Sequence, residues 1–186
     1  MTIRAALVCL FLGSSASGCG SGSGPLSATE FGSKYKFSDN EVPGWTQTPV
    51  SPTEPSPYNV YDGQVELDGR IDGGDVYSSR GCRVSMYQDL TGSGTEICTA
   101  IAMDFVTADK ATGMFAFQQQ NKGASIAVPG YGASDALASA FTLGGQNVYA
   151  HFSASYFELW LSGFDDDTSA GAAAKQFLDV FKSKTN

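Results

Sequence analysis

The stretch Gly81 to Val106 constrains the fold most, because two runs of alternating apolar and polar residues flank Thr91-Gly92-Ser93-Gly94. Cys82, Val84, Met86 and, one step on, Leu90 alternate with Arg83, Ser85 and Tyr87, the period of a half-buried strand. Ile97 to Val106 reads the same way, and the glycine-rich segment supplies the reversal of an antiparallel hairpin. Cys82 and Cys98 lie one in each run with 15 residues between them. Closing that loop with a disulfide would stabilise the fold by about 3 kcal/mol in the chain-entropy model. A turn centred between Gly92 and Ser93 sets Cys98 opposite Tyr87 and Cys82 opposite about Met103. A Cys82–Cys98 bridge therefore requires an earlier turn, a bulge, or Cys82 folding back from the approach to its strand.

The expectation of a disulfide comes from the N-terminus. Residues 1–18 carry Arg4, an apolar run from Ala5 to Leu12 and a small-residue stretch ending against Cys19, the layout of a secretion signal. The apolar run is far below the ~20 residues that span a bilayer. Ala16-Ser17-Gly18-Cys19 resembles the bacterial lipobox, with Ala16 where leucine is usual, and implies lipidation of Cys19. A Gly/Ser segment follows, so 19–33 reads as anchor and flexible tether and 34–186 as one globular domain. The implied address is extracytoplasmic and membrane-anchored, at the outer membrane if the cell is Gram-negative. In that oxidising setting the remaining cysteine pair is expected to bridge.

Downstream, the prolines at 49, 52, 55 and 57 mark a surface loop, and the Asp-Gly pairs between Tyr58 and Tyr77 break that region into short helices. Thr107 is placed to cap a helix to about Asn121 that buries Ala108, Ala111, Met114 and Phe115. Strands are expected over 137–143, 147–153 and 156–162, the last with Phe157, Leu159 and Leu161 on one face and Tyr156, Glu158 and Trp160 on the other. Ala170, Ala173, Ala174, Phe177, Leu178 and Phe181 form the apolar stripe of a C-terminal amphipathic helix, capped by the Asp165–Asp167 run. The expected fold is α+β: a single domain with an antiparallel sheet of about five strands packed with helices.

Sites of familiar chemistry are not encoded. A single histidine excludes an HExxH zinc centre, Gly132-Ala133-Ser134-Asp135-Ala136 lacks the final glycine of a nucleophile elbow, and no Walker loop is present. An EF-hand starting at Asp68 fails at Arg70 and Ser79. No cofactor or metal is expected. With 11 basic against 19 acidic side chains, the chain also lacks the basic footprint of a nucleic-acid binder. Asp72, Asp75, Tyr77 and His151 remain as candidate ligand-binding residues, with His151 on a strand face.

Val42-Pro43-Gly44-Trp45, Ile71-Asp72-Gly73-Gly74-Asp75-Val76-Tyr77 and the run from Met103 through Phe115 resemble, in order and motif, an extracytoplasmic bacterial family catalogued as a domain of unknown function. Asp75 stands where that family more often carries alanine. The resemblance implies the architecture above and brings no activity. The order of elements is more loosely similar to the α-β-α sandwich of PsbP-like proteins. Function is therefore expected to be that of a monomeric, lipid-anchored envelope protein whose domain binds a protein partner or ligand without catalysis. The alternative is an extracytoplasmic enzyme or small-ligand or metal carrier built on Asp72, Asp75 and Tyr77.

Overall fold

The computed structural model describes residues 25–48, 56–71 and 73–186. The signal segment, Cys19, most of the proline-rich loop and Asp72 lie outside the described residues. The elements run α1 (Ala28–Tyr35), β1 (Thr46–Gln47), β2 (Asn59–Asp62), α2 (Gly63–Arg70), α3 (Gly74–Ser79), β3 (Val84–Thr91), β4 (Ile97–Asp104), α4 (Ala108–Asn121), β5 (Ile126–Ala127), β6 (Ala136–Ala138), β7 (Gln146–Phe152), β8 (Ser155–Ser162) and α5 (Asp167–Thr185).

The hairpin β3–β4 is the spine of the fold. Its register pairs Val84 with Asp104 and Leu90 with Cys98, so the reversal centres on Gly94 and is closed by the Gly92 amide donating to the Glu96 carbonyl at 2.8 Å. From it one antiparallel sheet extends in the order β1-β3-β4-β8-β7-β6-β5, and β2 shares the outer edge of β3 with β1. The sheet has eight strands among the described residues, where the sequence suggests about five. The additional ones are β1, β2 and β5, each two to four residues long and too short to show a period.

Helices cover both faces. On one, α5 and α1 pack over Val84, Met86, Ala100, Phe157 and Leu159, with Phe157 stacked on Phe181 at 4.2 Å between ring centres. On the other, α2, α3 and α4 cover Ile101, Met103, Phe105, Tyr149 and Tyr156. Full burial of Phe177, Leu178 and Phe181 stabilises the docking of α5 by about 1.5–3 kcal/mol per side chain. Buried Gln88 pins the segment after α1 to β3: its Oε1 accepts from the Phe37 amide at 2.7 Å and its Nε2 donates to the Phe37 carbonyl at 3.0 Å.

Two expectations are corrected here. Residues 28–33, read as tether, are helical: Ser27 and Glu30 form a reciprocal capping box and Phe31 is 2% exposed in the core. The Cys82–Cys98 disulfide is absent, and both side chains are buried free thiols. Cys98 packs on the α5 face opposite Leu90, whereas Cys82 precedes β3 and packs with the α4 face. The residue opposite Cys82 in this register is Val106, eight positions from Cys98, a separation of ~27 Å along the strand. A disulfide needs Cα atoms within about 7 Å.

Candidate functional site

β4 ends on Asp104, and the chain must turn sharply before α4 begins. It does so in a γ-turn centred on Val106, whose φ is 67°, with the Thr107 amide donating to the Phe105 carbonyl at 2.7 Å. A β-branched residue is crowded by its own Cβ in that region, at a cost of about 1–2 kcal/mol. Val106 is also 49% exposed, so burial returns little of that cost. The turn is held by Asp104, whose Oδ1 accepts from the Val106 amide at 2.9 Å. Its Oδ2 accepts from Arg83 Nε at 3.2 Å and Nη2 at 2.6 Å. The same Nη2 donates to the Leu26 carbonyl, tying the first described residues to the end of β4.

These contacts frame a cleft of about 430 Å³ between α1, the end of β4 and the β7–β8 turn. Leu26, Phe31, Lys34, Asp104, Val106 and Ala154 are among the residues lining it. Tyr35 and Ser155 also line it, hydrogen-bonded to each other at 2.9 Å. The volume is that of a small-molecule site, and the lining mixes apolar surface with one ammonium and one already paired carboxylate. Such a lining can bind and orient a ligand. The described part of it places no nucleophile beside a base.

A second concentration of chemistry lies inside the other layer. Glu158 on β8 is 2% exposed, and four side chains donate to its carboxyl. Tyr77 and Tyr156 hydroxyls reach Oε1 at 2.8 Å each, Gln118 Nε2 reaches it at 3.0 Å, and Trp160 Nε1 reaches Oε2 at 3.2 Å. Burial raises the acid above its ordinary range, against the pull of those donors. Burial and the facing Glu158 charge likewise push both tyrosines up. Tyr77 arrives through α3, which sits close on α2 because Gly74 has no side chain: a Cβ there would lie 1.8 Å from the Leu67 carbonyl oxygen. The network joins β8, α3 and α4 inside the core and is a structural brace.

Of the residues singled out in the sequence, the described ones, Asp75, Tyr77 and His151, do not form one site. Tyr77 is buried against Glu158, while Asp75 lies exposed in the first turn of α3. His151 on β7 is half-buried on the Tyr77 side of the sheet, but its Nε2 lies 2.8 Å from the Ser134 carbonyl and its ring 5.0 Å from that of Phe115. The Asp165–Asp167 run caps α5, with Asp166 Oδ1 accepting from the Ser169 amide at 2.7 Å. The cleft residues escape a reading by motif, since no motif links Leu26, Arg83 and Asp104. The one local signal near them is the Ser27-Ala28-Thr29-Glu30 capping box.

No protein-family model matches the chain, and no curated protein matches it. Among solved structures it is similar to the extracellular domain of PknH from Mycobacterium tuberculosis. The likeness has a TM-score of 0.50 at 15% identity and covers 85% of this chain and 98% of that one. At this identity the two share a fold. No helix among the described residues is long and apolar enough to cross a membrane.

Proposed function

We propose that this chain is a lipid-anchored protein of the cell envelope whose domain binds a small ligand, without catalysis, in the cleft beside α1. The observation that carries the binding reading is the Val106 turn: an exposed, left-handed valine at the rim of a cavity, held there by Asp104 and Arg83. Local strain of this kind persists where surrounding contacts over-determine it, and it concentrates at ligand sites. The anchor is supported by the lipobox-like Ala16-Ser17-Gly18-Cys19, and an extracytoplasmic address also by the fold likeness to an extracellular domain. Leu26, on the cleft wall, follows Cys19 by seven residues, a span of at most ~25 Å of extended chain. A lipidated Cys19 would hold the cleft mouth within that distance of the membrane surface.

Two experiments test the two halves. Cells fed labelled palmitate incorporate it into the wild type and not into Cys19→Ala; equal labelling of both ends the anchor reading. A thermal-shift screen of small amphipathic metabolites against the 25–186 domain yields compounds that stabilise the wild type and leave Ala154→Phe, which fills the cleft, unmoved. Hits that stabilise both proteins equally would place binding elsewhere.

A further inference from the structure

The sheet ends, on the side away from β1, in β5. Among the described residues this edge strand pairs only with β6, and both its residues are exposed, Ile126 at 47%. Between it and the first turns of α5 lies a groove of about 270 Å³ whose lining is mainly apolar. Ile126, Val128, Ala138 and Phe141 supply the apolar side, and Asp167 and Gly171 the helix side. Next to Phe141 the chain doubles back through an isolated bridge between Thr142 and Gly145. Leu143 stands at its tip, fully exposed with φ 52°, where asparagine or glycine would be the relaxed choice. An open strand edge, an apolar trough and a strained, solvated leucine thus occupy one corner of the molecule.

The charges there decide what fits. Asp165, Asp166 and Asp167 precede and open α5, and the whole chain carries a net charge of −8. Lys175, two turns along α5, is already paired with Asp179 at 2.6 Å. A second copy of this chain would bring the same acidic rim against itself, and an anionic lipid surface would be repelled. We infer that the groove between β5 and the start of α5 is a docking site for an extended, basic segment of a partner protein. Such a segment lies along β5, sets an apolar side chain into the groove, and brings flanking lysines or arginines to the Asp165–Asp167 rim. Leu143 supplies a further apolar contact outside the trough.

The test uses fluorescence anisotropy with a labelled Lys-Leu-Lys-Val-Lys-Leu peptide and two controls, one with glycine for every apolar residue and one with glutamate for every lysine. The wild type binds the first peptide saturably, more weakly at high salt, and at least about tenfold more tightly than either control. Ile126→Asp and Gly171→Leu each weaken binding by a similar factor, while Gly171→Ala, whose Cβ meets only the Pro129 ring at 3.6 Å, serves as the folded reference. Equal binding of the glycine control, or binding untouched by Ile126→Asp and Gly171→Leu, overturns the proposal in favour of unspecific charge attraction. Sedimentation that finds a dimer dispersed by Leu143→Asp overturns it in favour of self-association. Neither result bears on the cleft beside α1, which Ala154→Phe reports separately.

Discussion

Arg83 Nη2 lies 2.6 Å from Asp104 Oδ2, and the same guanidinium nitrogen donates to the Leu26 carbonyl. The two side chains are 29% and 13% exposed, so the pair is screened little by solvent, and it joins the first described residues to the end of β4. Asp104→Ala leaves the Arg83 charge without its counter-ion and the Val106 amide without its acceptor. The expected loss is about 2–4 kcal/mol in urea denaturation. The double change Arg83→Ala with Asp104→Ala costs less in total than the sum of the single changes, with a coupling above about 1 kcal/mol.

Val106 and Leu143 hold left-handed backbone without the freedom of glycine and with little burial in return. Replacing either with glycine relieves the crowding and stabilises the domain by up to about 1 kcal/mol, less the larger chain entropy of glycine in the unfolded state. The thermal midpoints of Val106→Gly and Leu143→Gly should each rise or hold. A fall of several degrees in either would show that these side chains make contacts worth more than the strain.

Glu158 makes a prediction with a definite sign. Its folded value is raised above the ordinary 4.5, chiefly by burial, so below about pH 4.5 both states hold the proton and its contribution is fully present. As pH rises toward the folded value the unfolded chain has already released its proton, and that contribution is lost. Glu158→Gln cannot titrate. It forfeits the Trp160 hydrogen bond, about 1 kcal/mol, but its stability relative to wild type climbs as pH rises above about 4.5. Urea melts across a pH series would contradict this if the difference were flat or fell.

The thiols give a chemical check on the hairpin register. Burial pushes Cys82 up to about 12 and Cys98 well above its ordinary 9.0, so both should resist alkylation in the native state. Under denaturing, non-reducing conditions both titrate, and reductant leaves the native melting temperature unchanged. A bridged pair would require a hairpin register different from the pairing of Leu90 with Cys98.

Where the sequence carries a strong period or cap, the fold is legible from it. Thr107, Ala111, Met114 and Phe115 announce α4 with its observed start, and the stripe from Ala170 to Phe181 announces α5. The alternation along 156–162 assigns Glu158 to the Tyr156 and Trp160 face, although a lone acid in a strand ordinarily reads as solvated. Its burial depends on Tyr77 and Gln118, donors from two helices that only the folded chain brings together. The cleft was illegible for the same reason, since Leu26, Arg83 and Asp104 meet through strand register and local propensity says nothing of it. Cys82 and Cys98 mislead because their spacing suits a loop closure, while the hairpin register holds them eight positions apart and Cys82, lying before β3, packs in the other layer. The capping box at Ser27 and Glu30 was readable, but its low-complexity neighbours masked it.

The central claim is that the cleft beside α1 holds a ligand. Native mass spectrometry of the full-length protein, extracted gently from the cells that make it, measures this most directly. The account predicts an added mass of one small molecule on the wild type, released on denaturation and missing from Ala154→Phe of equal thermal stability. Wild-type protein that carries no such mass, or an adduct retained in full by Ala154→Phe, would contradict it.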